Sequence, residues 1–409
     1  MKKENSGNPR KVEELPVMRP REGELDDHGF LNQYWAESDL AVDSFGVVHS
    51  FPYKNLVTLL NDDLTRQIET EGIRQRGITS GPTYEFFDNS LLTSNGQRHK
   101  RRRTPLARTF AFPLMKALRP VAAATAEALV APLRNHSSVD ILEEVAGPMP
   151  ARMIADVLGV PEQDIPEFTS LVYSAIRVLG VRSEAVMAEA ENDLTRLGEY
   201  VSNILDERRR KPTGDFLSEY LETAENSELS DTEIRITIVS LILAGSDTTR
   251  ASIAMTLSRL LENPSQWAML VEQPETWKGP AAEEGLRYDP VVGSLGRIAT
   301  KEFELSGVRI VPGTILAPSL LTAARDAAIF DRPECFDITR QDHPRYASAF
   351  GGGAHRCLGE ALARIELEET LSAFAKFWPE AKLVGSPPSL RGISGTRGIS
   401  EMAVDNIPT

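Results

Sequence analysis

The stretch from Ser230 to Leu261 constrains this chain more than any other. Ser230-Asp231-Thr232-Glu233 has the form of a capping box. An apolar run follows, through Ile238, Val239, Leu241, Ile242 and Leu243 to Ile253, Met255 and Leu257. The spacing predicts one helix of roughly 30 residues and roughly 45 Å, long enough to cross the middle of the protein. Its centre reads Ala244-Gly245-Ser246-Asp247-Thr248-Thr249. Gly, Ser, Asp and Thr are mediocre helix formers, and together they weaken the helix locally. A packing notch or a surface flaw would look like this, and so would a groove opened for a small ligand. The Thr248 hydroxyl can bond back to the Ala244 carbonyl or give that bond up to hold water. Asp247 beside it can resupply protons.

A second stretch, Phe350-Gly351-Gly352-Gly353-Ala354-His355-Arg356-Cys357-Leu358-Gly359, sets one cysteine between a glycine-rich turn and a helix. Leu358, Leu362, Ile365, Leu371, Phe374 and Phe377 recur near the helical period. A thiol at that point meets the positive end of the helix and free backbone amides, which favour the thiolate and metal binding. Three glycines let the backbone take turns closed to other residues and let a flat ligand come close. A lone buried cysteine is usually a small hydrophobe, and a glycine run is usually a loop. The Phe, His and Gly at fixed offsets tip that balance. The pattern Phe-x-x-Gly-x-His-x-Cys-x-Gly resembles the haem-binding loop of the cytochrome P450 family, through Phe350, Gly353, His355, Cys357 and Gly359. The centre of the long helix is similar, at every position, to that family's oxygen-activation motif, Ala/Gly-Gly-x-Asp/Glu-Thr-Thr/Ser.

Other segments agree with the resemblance in chain order. In Gly96-Gln97-Arg98-His99-Lys100-Arg101-Arg102-Arg103, His99 and Arg103 are four apart and share a helix face. Such a pair suits two carboxylates, and the family's pattern places His and Arg here against the haem propionates. The acidic residue and prolines that often precede that His in bacterial members are missing. The rest of the basic run reads either as a solvated face or as a docking patch for an acidic electron donor. Glu284 and Arg287, three apart, with Arg340 in Phe336-Asp337-Ile338-Thr339-Arg340, resemble the family's buried structural ion cluster. Val291 to Arg297 resembles the segment that passes the haem and ends in a propionate-binding arginine. Ala324-Arg325-Asp326 resembles the family's Asn-Arg-Asp, with Ala in place of Asn.

The family's helix-rich fold therefore applies: one mainly α domain over residues 28–409 with a smaller β region and a long central helix over the haem. Residues 1–27, polar and rich in Lys, Glu, Pro and Arg, read as a loosely held arm. Helices are expected near 120–131, 150–158, 165–178, 183–210 and 214–224, and strands after Pro290. Phe45-Gly46-Val47-Val48 reads as a strand before a helix that starts near Asn55. Gly77–Asn95 shows few helix signals and reads as a variable loop over the haem.

A net charge of −14 argues against nucleic acid as a partner. Two cysteines, Cys335 and Cys357, exclude a disulfide framework and fit a reducing cytoplasm. No apolar run reaches the length of a membrane span, and the charged N-terminus lacks a signal core. The resemblance then points to the soluble bacterial type and a monomer.

By that resemblance Cys357 is the axial ligand of haem b. Ala244, Gly245, Phe350, Gly351 and Gly359 border the haem, and His99, Arg103, Arg297 and His355 hold its propionates. Asp247 and Thr248 guide protons to bound dioxygen. Electrons come ultimately from NAD(P)H through a separate ferredoxin reductase and ferredoxin. The reaction implied is insertion of one oxygen atom into a C–H bond of a mostly hydrophobic small molecule, by hydroxylation or O-dealkylation. Phe86, Phe87, Leu241, Val292 and Leu295 are the substrate-contact candidates. A thiolate-haem protein that uses peroxide or rearranges its substrate, and a haem gas-binding module, are the alternatives. Asp247 and Thr248 speak against the former, and the want of an output segment against the latter.

Overall fold

The computed structural model describes residues 9–21, 25–136, 138–180, 183–344 and 348–405. The expected long helix runs Asp231–Glu262. Its capping box is formed: Glu233 N–H donates to Ser230 Oγ at 3.2 Å, and Ser230 N–H donates to Glu233 Oε2 at 3.0 Å. Two orphan amides of the first turn are thereby satisfied. Twenty of its side chains are buried, so it is apolar on nearly all sides and lies inside the protein. Around it pack the helices Pro148–Leu158, Ile165–Ala175, Glu184–Arg210, Pro274–Tyr288 and Glu360–Phe377. One large apolar core fills the space between them.

The β region is smaller. One sheet has five short strands, labelled here β1 (Leu40–Val42), β2 (Val48–Ser50), β3 (Thr65–Gln67), β4 (Arg297–Ala299) and β5 (Ile315–Pro318). Their order is β1-β2-β5-β4-β3, with only β2 and β5 parallel. The register sets Arg297 opposite Gln67 on one side and Leu316 on the other. The expected hairpin forms between Phe303–Leu305 and Val308–Ile310, with Ser306 and Gly307 both at positive φ. No helix among the described residues is long and apolar enough to cross a membrane.

Three expectations change. Gly81–Asn89 is a helix, not loop, because Pro82 sits in its first turn and Phe86 buries fully against the main core. The first strand signal is shifted: Phe45 is exposed in a turn whose amides bond the Asp43 carboxylate, and pairing starts at Val48. Of the expected loose arm, Arg10–Met18 is docked. Leu15 and Met18 are buried, and Arg10 N–H donates to the Gly307 carbonyl at 2.9 Å. Those two side chains gain apolar burial that a free arm would forgo. Residues 1–8 and 22–24 lie outside the described residues.

Candidate active site around Cys357

The centre of the long helix stays α-helical through Ala244–Thr249, and its hydroxyls bond back to the helix carbonyls. Thr248 Oγ1 donates to the Ala244 carbonyl at 2.9 Å, and Ser252 Oγ donates to the Thr248 carbonyl at 2.9 Å. Back-bonds of this kind compete with the helix's own ladder. Gly245 lets the helix approach Ile154 closely. A Cβ there would come within 2.9 Å of Ile154 Cδ1, where the helix Pro148–Leu158 crosses.

The cysteine loop is equally determined by its residues. Gly351 and Gly353 have φ of +67° and +63°, which other residues rarely adopt. A Cβ at Gly353 would also lie 2.3 Å from the Leu60 carbonyl oxygen. Cys357 N–H donates to the Phe350 carbonyl at 3.0 Å and closes the loop, and Glu360–Phe377 starts three residues on. The Cys357 side chain is accessible, yet protein surrounds it on most sides, because its open face borders an internal cavity. Burial raises its pKa, while the Gly359 amide and the Arg103 and Arg356 charges pull the other way. The expected preference for thiolate is thus outweighed by desolvation. A metal cation bound at the sulfur would supply the missing stabilisation.

The cavity is apolar on most of its wall and measures about 300 Å³. Ala244, Gly245 and Thr248 line it, and so do Phe350, Gly351, His355, Cys357 and Gly359. Leu241, Val292, Leu295 and Arg297 also face it. A larger, more polar cleft of about 1010 Å³ lies along the same helix. We place the site in the smaller space because the sulfur and the Ala244–Thr248 turn both border it.

At one edge of the cavity, His99, Arg103 and His355 border an adjoining surface cleft. The two imidazoles stack with centroids 4.0 Å apart, and buried His99 Nε2 has no hydrogen-bond partner. Desolvation, then the Arg103 charge, lowers His99 to about 4; desolvation, then His99 and Arg297, lowers His355 to about 3. Arg103 Nη2 donates to the Arg356 carbonyl at 2.6 Å, tying this helix (Gly96–Thr109) to the cysteine loop. One guanidinium beside two neutral imidazoles, one with an unpartnered ring nitrogen, suits carboxylates.

Not every expected residue meets the cavity. Asp247 borders the larger polar cleft and pairs with Arg250, whose Nη2 lies 2.8 Å from Asp247 Oδ1. Phe86 is core and Phe87 packs on it; neither lines the cavity. Arg102, expected on an outward basic face, is buried against Glu233 at 3.0 Å, and Arg101 joins it at 2.7 Å. Both neutralise the capping glutamate and are drawn inward by it. The Glu284 cluster assembles: Arg287 donates to both carboxylate oxygens at 2.7 and 2.8 Å, and Arg340 approaches at 3.3 Å.

Sequence reading missed Glu366, Thr249, Ser252 and Ile154 on the cavity wall. Glu366 is buried, its Oε2 has no partner, and desolvation raises its pKa to about 8. The available signal was an acid four residues after Leu362, inside the apolar stripe.

A cysteine sulfur open to an apolar cavity, a glycine at 353 where a Cβ would strike backbone, and an arginine beside an unpartnered ring nitrogen fit haem bound through a thiolate. A family model described as Cytochrome P450 matches residues 62–276 and 281–376. The plant-inducible Cytochrome P450-pinF1 of Rhizobium radiobacter is 39% identical over 352 residues, 86% of this chain and 83% of that one. Nocardicin C N-oxygenase of Nocardia uniformis subsp. tsuyamanensis is 32% identical, with 73% and 74% covered. The structure of P450BioI with a fatty-acyl-ligated acyl carrier protein superposes with a TM-score of 0.83 at 26% identity, over 92% of this chain and 97% of that one. The chain belongs to the cytochrome P450 family and is a monooxygenase-class enzyme that uses haem b and electrons derived from NAD(P)H.

Proposed function

We propose that this enzyme inserts one atom of dioxygen into a C–H bond of a mostly hydrophobic small molecule, by hydroxylation or O-dealkylation. A ferredoxin and its reductase deliver the electrons, in the cytoplasm. The observation that carries the reading is the shared wall of one apolar cavity, with Cys357 and Thr248 both on it. Cysteine-ligated haem in cytochromes P450 is the standard case in which the thiolate pushes electron density to favour O–O cleavage.

This chain's residues do the rest. Cys357 would hold the haem iron through its sulfur, which the Gly359 amide supports. His99, Arg103, Arg297 and His355 would hold the propionates. Leu241, Val292 and Leu295 exclude water and leave room for an apolar substrate. Thr248 Oγ1 holds a proton that it can turn from the Ala244 carbonyl into the cavity. Asp247, on the solvent side, resupplies that proton from the polar cleft. The expected basic docking face is narrowed, since Arg101 and Arg102 are committed to Glu233.

Haem-loaded enzyme with a ferredoxin pair and NADH should form oxidised product from a compound that shifts the haem spin state. A carbon monoxide difference spectrum should show thiolate ligation, lost in Cys357→Ala. A histidine-type spectrum, or full activity in Cys357→Ala, would overturn the reading.

A further inference from the structure

Arg297 lies in β4 with its guanidinium buried, and four groups already accept from it. Nε donates to Thr65 Oγ1 at 2.9 Å and Nη1 to Gln67 Oε1 at 3.3 Å. Nη2 donates to the Thr65 carbonyl at 3.1 Å and to Asp62 Oδ1 at 2.6 Å. A guanidinium has five N–H groups, so little donor capacity is left for another carboxylate. Three of the acceptors belong to β3, the neighbouring strand, and hold Arg297 in place by themselves. Asp62 is different: it comes from the turn before β3, is a carboxylic side chain and is 43% exposed. It sits in the cleft shared by His99, Arg103 and His355, and its charge favours protonation of both histidines.

We propose that Asp62 competes with a haem carboxylate for the Arg297 guanidinium and thereby sets how fast haem leaves the protein. The proposal rests on the reading of Arg297 as a propionate ligand. Asp62 turns out into solvent at small cost because it is already half-exposed, and the propionate then takes Nη2. When Asp62 returns, it displaces the propionate and opens the route for haem to leave. Asp62 is a positioning residue for the cofactor and touches no reacting atom.

The test is haem transfer from the holoenzyme to excess apomyoglobin, in wild type, Asp62→Asn, Arg297→Gln and the double variant. Asp62→Asn should slow haem loss roughly three- to fivefold at low ionic strength, the scale of one partly screened charge. The difference should shrink to less than about twofold near 0.5 M salt. Arg297→Gln should speed haem loss, and adding Asp62→Asn to it should change nothing further. If Arg297→Gln does not fold, Arg297→Lys takes its place. Haem loss that is unchanged or faster in Asp62→Asn alone overturns the competition and leaves Asp62 as an anchor for Arg297. Wild-type haem loss in the Arg297 variant overturns the propionate reading itself.

Discussion

Asp247 and Thr248 are consecutive residues of the central helix, yet Asp247 borders the outer polar cleft and Thr248 the apolar cavity. Neighbours on a helix point about 100° apart, so one turn of backbone joins solvent to an enclosed space. Thr248→Ala removes the hydroxyl on the cavity side and the 2.9 Å bond to Ala244. It should leave haem content unchanged, cut product per NADH roughly tenfold or more and raise peroxide release. Coupling equal to wild type, measured as product against NADH consumed, would exclude a proton role for the hydroxyl.

On the solvent side, Arg250 holds Asp247 by two contacts to the same oxygen, 2.8 and 3.0 Å, and stacks over Tyr173 at 5.1 Å. Asp247→Asn keeps the shape and removes the carboxylate that can take up and release a proton. Turnover should fall roughly 100-fold, the scale of lost general acid–base catalysis. Stopped-flow kinetics should show substrate binding intact and the slowing confined to steps after reduction. A drop in substrate affinity instead would mark Asp247 as an access residue.

Glu366 gives a pH prediction. Its carboxyl is buried without a partner, and burial raises it from 4.5 to about 8. The folded state therefore favours the protonated form. Its stabilising contribution is complete below pH 4.5, declines as pH rises and is gone above about pH 8. Urea unfolding of the holoenzyme should show stability falling across that window by up to a few kcal/mol. Glu366→Gln, which stays neutral, should flatten the slope; an unchanged slope would place the titration elsewhere.

The Glu284 cluster is structural. Glu284 is fully buried with Arg287 and Arg340 around it, and Arg287 also donates to the carbonyls of Ala324, Pro333 and Cys335. Removing the carboxylate leaves buried guanidinium charge uncompensated. Glu284→Gln should cost about 3–5 kcal/mol and lower haem incorporation, read by denaturant titration and haem absorbance. Loss of activity with full stability and full haem would refute a structural role.

How much was legible in the chain depends on whether the deciding contacts were local. The capping box, the hydroxyl-rich turn at Ala244–Thr249 and the glycine run before Cys357 are written in residues a few positions apart. Local propensity and covalent geometry decide them, so the long helix and the cysteine loop could be read directly. Phe86 could not: an aromatic in a short segment reads the same whether it faces a substrate or the core, and distant packing chose the core. Nor could the basic run at Arg98–Arg103, where Glu233, more than a hundred residues away, draws Arg101 and Arg102 out of any outward face.

The chain alone therefore determined the central helix, its hydroxyl-rich turn, the cysteine loop and the family these resemble, because each rests on near-neighbour chemistry. Only the folded structure decided which side chains share a cavity. It separated Asp247 from Thr248, brought Glu366 to the wall and set Asp62 on Arg297. Those relationships depend on contacts across hundreds of residues, where burial and charge pairing act and sequence spacing carries no information.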